Sequence, residues 1–156
     1  MRHLITKHWN AIYQSNIIVN EVAVTSGCNQ AFCAAIASVA KAGDSVILPT
    51  PWYFNHKMWL DMQGIKIIEL PCTHNLLPDL NVAKKLITKS VKAIILVTPN
   101  NPTGQEYPDK LIHEFALLAK EKNSTLIIDE TYRDFISKSS RLHTLFQTDD
   151  WRHWLI

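Results

Sequence analysis

A carboxylate closes the last apolar strand that the sequence predicts. Residues 125–129, TLIID, are apolar up to their final residue, and Tyr132 follows Asp129 three positions later. A buried carboxylate without a charged or hydrogen-bonded partner is costly, so Asp129 either reaches solvent or meets a cation. A protonated ring nitrogen of a bound heterocycle would be such a cation. The alternative reading makes Asp129 a solvated or helix-capping residue and Tyr132 a surface residue.

An asparagine follows a second apolar run at a turn. Residues 93–97, AIILV, have no polar alternation, which indicates a strand buried on both faces. The segment TPNNPTG comes next and consists of turn-forming residues, with Asn101 directly before a proline. Because ligands bind at the carboxyl ends of parallel strands, the Asn101 amide is a candidate ligand contact. An ordinary strand-to-helix loop would explain the same residues.

A glycine turn and an aromatic cluster offer two further kinds of contact. Gly27, Cys28 and Asn29 lie between an apolar segment and a helical pattern, so their backbone N–H groups could hold a phosphate. Glycine turns before helices are common, so the turn considered alone favours a purely structural role. Tyr53 could stack on a flat ring. Trp52 or Phe54 could do so instead, or all three could pack in the core.

Alternating strands and helices must position these groups. This order predicts an α/β fold, a three-layer sandwich with a mainly parallel sheet and helices on both faces. Pro49 is expected to end one of the strands, and residues 136–156 show no clear period. The predicted strands are residues 21–25, 45–48, 66–70, 93–97 and 125–129. The predicted helices are residues 4–15, 31–40, 54–63, 81–88 and 107–122.

Composition excludes several classes of protein. Lys and Arg number 16 against 14 Asp and Glu, without a dense basic block, so nucleic acid is not an expected partner. Three cysteines without a CxxC pair argue against a disulfide framework and a zinc site, and His3 and His8 are unsuitably spaced as metal ligands. No apolar run could cross a bilayer, and the first residues do not form a signal peptide. We expect a soluble, cytoplasmic protein that binds no metal.

The order and spacing of these motifs resemble the class I/II aminotransferases, pyridoxal-phosphate enzymes of the aspartate aminotransferase fold. NNPTG followed by an apolar strand that ends in DETY is the most specific part of the resemblance, which covers nearly the whole chain. It implies pyridoxal 5'-phosphate as cofactor. The residues that the resemblance assigns to cofactor binding are Gly27, Cys28, Asn29, Tyr53, Asn101, Asp129 and Tyr132.

The resemblance also identifies what this sequence lacks. The family forms a Schiff base through a lysine in a serine-rich turn well beyond the aspartate strand end, and no such turn is present. Lys138 follows Asp129 by only nine residues with no intervening strand, so we interpret it as a surface-loop residue. Residues 1–156 are therefore expected to be a partial cofactor-binding large domain that lacks the N-terminal segment, the C-terminal small domain and the catalytic lysine.

At the family level, the resemblance implies transfer of an amino group between an amino acid and a 2-oxo acid by a homodimeric enzyme. The isolated chain is expected to bind the cofactor weakly and to be inactive. A second hypothesis is a non-catalytic remnant or regulatory protein that retains the aminotransferase fold. A nucleotide-binding Rossmann domain is a weaker third hypothesis, because no G-x-G-x-x-G motif follows a strand.

Overall fold

Four parallel strands form the sheet of the computed structural model, which describes residues 1–136 and 141–156. The strand order across the sheet is β2-β1-β3-β4, so the chain crosses over between β2 and β3. The mainly parallel α/β fold predicted from the sequence is confirmed. The strands are β1 (Ser45–Thr50), β2 (Lys66–Pro71), β3 (Val91–Val97) and β4 (Thr125–Asp129).

Helices cover both faces of this sheet, as the alternating pattern predicts. In the described ranges no helix is long and apolar enough to cross a membrane. The helices are α1 (Arg2–Tyr13), α2 (Cys28–Val39), α3 (Phe54–Met62), α4 (Leu80–Leu86) and α5 (Asp109–Glu121). Short 3-10 turns occur at Val19–Glu21, Arg133–Phe135, Leu145–Gln147 and Trp151–His153.

Two apolar cores result from the alternation of side chains along each strand. Ala93 and Ile95 of β3 point toward α2 and α3, where they pack with residues such as Leu60. Ile94 and Leu96 point the other way, toward α4, α5 and the C-terminal turns. All four β3 side chains are fully buried. The continuous apolar run in the sequence is therefore explained by a strand covered on both sides.

The predicted strand at residues 21–25 is wrong. Val19–Glu21 forms a 3-10 turn, and residues 22–25 have no regular secondary structure. The segment EVAVT is rich in β-branched residues, but it lies outside the sheet formed by the described strands. Without a neighbouring strand its backbone has no ladder to join, because a strand is defined by pairing rather than by side-chain pattern.

Pro49 does not end β1, which corrects a second expectation. The strand continues to Thr50, and Pro49 pairs with Leu70 of β2. On its other side, β1 pairs with β3 only as far as Ile47. The missing proline N–H is therefore tolerated where β1 is paired on one side alone.

The C-terminal residues, which have no clear period in the sequence, pair with the free edge of β4. Leu155 forms a parallel bridge with Leu126, and the Ile156 N–H donates to the Leu126 carbonyl at 2.9 Å. Trp151 and Trp154 cover one core nearby and are nearly buried. The tail therefore belongs to the sheet layer and to the core, although its sequence predicts neither.

Substitution of Phe115 tests which side of helix α5 faces the core. Phe115 is fully buried, so Phe115→Ala is expected to lower the free energy of unfolding by about 3 to 5 kcal/mol. Leu117 on the same helix is 67% exposed, so Leu117→Ala should change it by less than about 0.5 kcal/mol. Urea denaturation of both variants measures the difference, and equal losses would contradict the assigned helix face.

Candidate functional site

The candidate site lies at the carboxyl edge of the sheet, where β3 and β4 end side by side. Asp129, the last residue of β4, is paired with Val97, the last residue of β3. The ladder continues one step further, because the Thr98 N–H donates to the Asp129 carbonyl at 3.0 Å. The turn that carries Asn101 therefore begins directly beside Asp129, and such strand ends are the usual place for ligands in open parallel sheets.

Asp129 has a nearly buried carboxylate with several polar partners. Its side chain is 8% exposed, and its Oδ2 lies 3.1 Å from Nε2 of His56. Its Oδ1 accepts hydrogen bonds from the Thr131 backbone N–H at 3.0 Å and from the Thr131 hydroxyl at 2.6 Å. The Cys28 thiol approaches the same oxygen at 3.4 Å. These partners come from α2, α3 and the residues that follow β4.

The partners determine the charge of this carboxylate. Burial alone would raise the pKa of Asp129, but the imidazole of His56 and the two Thr131 donors outweigh it and lower the pKa to about 2. Partial burial, and then the Asp129 charge, raise the pKa of the Cys28 thiol. At neutral pH the site therefore contains an ionised Asp129 beside a protonated thiol.

His56 was missed in the sequence interpretation, although it contacts the key carboxylate. The residue is 1% exposed, and its ring stacks on Phe32 of α2 with centroids 3.8 Å apart. Tyr53 packs edge-on against the same ring at 5.3 Å. The sequence contained one signal that could have identified it. His56 lies three residues after Tyr53, in the first turn of a helix that is predicted to follow a strand end.

Asn101 and Tyr132 form a second polar pair. The Asn101 Nδ2 donates to the Tyr132 hydroxyl at 3.4 Å, which is a long hydrogen bond, and Tyr132 is 39% exposed. The neighbouring Asn100 stabilises the turn by accepting from the backbone N–H of Thr103 at 3.2 Å. The structure therefore brings together two residues that lie thirty-one positions apart in the sequence.

The predicted phosphate turn is the beginning of α2. Gly27 has a φ of 88°, a left-handed conformation that favours glycine, and Cys28 and Asn29 form the first helical turn. The first N–H groups of a helix have no carbonyl partner within the helix. Gln30 folds back to accept from the Ser26 N–H at 2.6 Å, which holds the turn against the helix.

A cavity of about 580 Å³ opens beside Asp129 and extends along β4. Cys28, Asp129 and Thr131 are among its lining residues. The other lining residues are mostly apolar and come from α1, α2, β4 and the C-terminal tail, but they include Glu21, Glu130 and His143. Tyr53, Asn101 and Tyr132 do not belong to its walls. The predicted residues thus form two groups at one edge of the sheet, one around Asp129 and one around Asn101.

Two predicted positions remain apart from these contacts. Asn29 is exposed in the first turn of α2, and no side-chain hydrogen bond links it to another predicted residue within the described ranges. Lys138 lies outside the described residues. The interpretation of Lys138 as a surface-loop residue therefore stays a prediction.

A second buried carboxylate follows directly after Asp129. The Oε1 of Glu130 lies 3.0 Å from Nε2 of His143, and its Oε2 accepts a short hydrogen bond from the Tyr13 hydroxyl. The His143 Nδ1 accepts from the Leu145 N–H at 3.2 Å, so Nε2 carries the proton. The Glu130 cluster, composed of Tyr13, Glu130 and His143, joins α1 and the C-terminal tail to the end of β4. The sequence interpretation missed it.

The fold and the site together indicate a kind of ligand. A parallel α/β sheet presents an ionised carboxylate, a tyrosine–asparagine pair and a helix N-terminus at one edge. This arrangement suits a ligand with a cationic or protonated ring and an attached anion. A phosphorylated heterocyclic cofactor is a ligand of this kind.

Comparison with known proteins identifies the family. The sequence profile described as aminotransferase class I and II matches residues 1–155. The chain belongs to this family, whose members depend on pyridoxal phosphate. The cofactor and the family expected from the motifs are thus confirmed at this level.

Individual relatives agree with this assignment. An aromatic aminotransferase of Arabidopsis thaliana is 32% identical over 128 residues, which cover 79% of this chain and 32% of that protein. An aspartate aminotransferase of Pyrococcus horikoshii is 27% identical over 94% of this chain and 38% of its own length. The solved alanine aminotransferase of Pyrococcus furiosus superposes with a TM-score of 0.89 at 26% identity, over 96% of this chain and 38% of that structure. The chain thus spans between 32% and 38% of the length of these relatives.

The lowered pKa of Asp129 predicts a contribution to stability at acid pH. A carboxyl with pKa 3.8 when unfolded and about 2 when folded stabilises the protein above pH 3.8 and loses this contribution as pH falls toward 2. The contribution is about 2 kcal/mol. Asp129→Asn should therefore differ most from the parent near neutral pH, and the difference in unfolding free energy should shrink on acidification.

Urea denaturation between about pH 5 and pH 2 measures this difference. Asp134→Asn is the matched control, because it removes the same charge nearby from a side chain that is 80% exposed. A pH-independent difference between the parent and Asp129→Asn would contradict the proposed role of the Asp129 partners.

Proposed function

We propose that this chain is the cofactor-binding part of a pyridoxal-phosphate-dependent aminotransferase and that the carboxyl edge of its sheet holds the cofactor. The observation that carries the proposal is the Asp129 carboxylate, which stays ionised at 8% exposure because His56 and Thr131 hold it. A permanent buried anion at a strand end suits a protonated pyridine nitrogen.

The other residues at this edge supply the remaining contacts that such a cofactor needs. The N–H groups of Gly27, Cys28 and Asn29 at the start of α2 would hold its phosphate, assisted by the helix dipole. Asn101 and Tyr132 would donate to the phenolic oxygen, and Tyr53 would pack against the ring. The donor set therefore fits the group that the family uses.

Each of these residues has a defined chemical task. When bound, pyridoxal phosphate supplies an electron-withdrawing ring that weakens the bonds at an amino acid's α-carbon. Asp129 would keep the proton on the ring nitrogen, which strengthens that withdrawal. His56 would hold the Asp129 carboxylate in place through its Oδ2 atom, and Phe32 would exclude water from this contact.

At the level of the whole protein, we propose transamination between an amino acid and a 2-oxo acid. Family membership and relatives described as aspartate and alanine aminotransferases support it. Because this chain spans only 32% to 38% of the length of its relatives, we propose that residues 1–156 form part of the large domain of a longer, homodimeric protein. Three free cysteines support a cytoplasmic location.

Titration of the chain with pyridoxal phosphate tests the cofactor proposal. Loss of a charge-assisted contact should weaken binding by about 10- to 100-fold in Asp129→Asn. The exposed Asp134→Asn variant, which removes the same charge nearby, should bind like the parent. Cofactor absorbance and fluorescence quenching give the dissociation constants, and equal affinities of the two variants would argue against a site at Asp129.

Borohydride reduction tests the proposed absence of a Schiff base in this chain. We expect no pyridoxyl label at Lys138 above the level of exposed lysines such as Lys84, because Lys138 follows Asp129 by only nine residues and does not lie in the kind of turn that carries the family's Schiff-base lysine. Peptide mapping by mass spectrometry after reduction measures the label. Selective modification of Lys138, abolished in Lys138→Ala, would show that the chain carries its own Schiff-base lysine.

A further inference from the structure

The two oxygens of the Asp129 carboxylate are unequally occupied. An ionised carboxylate has about two lone-pair sites on each oxygen. Oδ1 accepts from the Thr131 backbone N–H at 3.0 Å and from the Thr131 hydroxyl at 2.6 Å, and the Cys28 thiol approaches it at 3.4 Å. Oδ2 has one polar partner among the described residues, Nε2 of His56 at 3.1 Å. Oδ1 is therefore saturated, whereas Oδ2 keeps a lone pair that can accept a further donor.

The partners of the two oxygens also belong to different surroundings. Cys28 and Thr131, which contact Oδ1, are among the lining residues of the cavity beside β4. His56, which contacts Oδ2, packs against the ring of Tyr53 with centroids 5.3 Å apart. Tyr53 is the residue proposed above to pack against the cofactor ring. The partner of the unsaturated oxygen is therefore the residue that joins Asp129 to Tyr53.

The Thr131 hydroxyl makes the shortest of these hydrogen bonds. Its length of 2.6 Å is typical of an O–H donor to an ionised oxygen. The backbone N–H of Thr131 makes a local turn contact that nearly any residue type at this position would also make. The hydroxyl is therefore what threonine itself contributes. Because threonine is β-branched, few rotamers are open to this side chain, and its hydroxyl stays directed at Oδ1.

These contacts restrain the rotation of the carboxylate. The χ2 torsion of aspartate has a broad, roughly twofold energy profile, so an unrestrained carboxylate exchanges its two oxygens easily. Here two donors from Thr131 hold Oδ1, and His56 contacts Oδ2. Rotation about χ2 would break the bond to the Thr131 hydroxyl and move Oδ1 away from both donors. The carboxylate is thus fixed before any ligand binds, which removes an ordering cost from binding.

We propose that Thr131 is a positioning residue, whose hydroxyl occupies Oδ1 of Asp129 and so leaves Oδ2 as the atom that accepts the ring N–H of the cofactor. This role rests on the proposed function and adds one residue and one atom to it. Thr131 acts through Asp129 and needs no contact of its own with the ring nitrogen. The hydroxyl therefore determines how the buried charge is oriented.

Orientation and charge of Asp129 are separable by experiment. The pKa of Asp129 is about 2, and the two Thr131 donors help to lower it. Removal of the hydroxyl donor raises this pKa but leaves it far below 7, so Asp129 stays ionised at neutral pH. A loss of affinity at neutral pH after this removal therefore reports the orientation of the carboxylate. The acid titration of Asp129 reports the hydrogen bond itself.

Three variants of the chain test this role without the cofactor. Thr131→Val removes the hydroxyl and keeps the branched shape, whereas Thr131→Ser keeps the hydroxyl. Thr73→Val is the matched control, because Thr73 is exposed in the loop after β2, at the opposite edge of the sheet. Carbon NMR of the Asp129 carboxyl group measures its titration. The onset should lie about one pH unit higher in Thr131→Val and should match the parent in the other two variants.

Binding of pyridoxine 5'-phosphate at neutral pH provides the second measurement. This probe has the ring nitrogen and the phosphate but no aldehyde, so it does not react with lysines. Its dissociation constant, measured by fluorescence, should rise about 3- to 10-fold in Thr131→Val and stay within about twofold of the parent in Thr131→Ser and Thr73→Val. An analogue with carbon in place of the ring nitrogen should bind the parent and Thr131→Val equally.

Circular dichroism establishes that the variants are folded under each condition. A parent that does not bind pyridoxine 5'-phosphate would overturn the proposed function, and the role of Thr131 with it. Equal binding of this probe by the parent and Thr131→Val would overturn the role of Thr131 alone, even if the titration of Asp129 shifts. An equal loss with the analogue that lacks the ring nitrogen would also overturn it, because the effect would then not pass through Asp129.

Discussion

The ionised carboxylate of Asp129 is the constraint on which the rest of the site depends. A charge at 8% exposure needs close partners, because an isolated buried carboxylate would instead take up a proton. His56 arrives from α3 and Thr131 from the residues after β4. The crossover connections of the sheet bring these segments to one edge, so the electrostatic requirement is met by the topology.

The two consecutive acids at the end of β4, Asp129 and Glu130, point into different surroundings. Asp129 meets His56 between α2 and α3, whereas Glu130 meets His143 among α1 and the C-terminal turns. Each carboxylate therefore has its own imidazole, and the two do not compete for one partner. The Tyr13 hydroxyl donates to Glu130, and burial and the Glu130 charge raise the pKa of Tyr13, so the phenol remains a donor.

The two sides of the sheet differ in what they present to their surroundings. The layer of α4 and α5 has charged residues at its exposed positions, which is the ordinary pattern of a helix in water. The layer of α2 and α3 carries the candidate site at one end, and its exposed surface has few charged residues, the pair Lys57 and Asp61 of α3.

Local sequence determined the type and approximate limits of β4, β3 and all five helices, because periodicity and turn residues act over a few positions. Motif spacing also indicated the family and the residues at the strand ends. Tertiary structure alone decided that residues 21–25 form no strand and that Pro49 lies inside one. Both outcomes depend on whether another strand lies beside the segment and pairs with it. It also decided that His56 meets Asp129, because a contact across seventy-three residues follows from the crossovers and not from any local pattern.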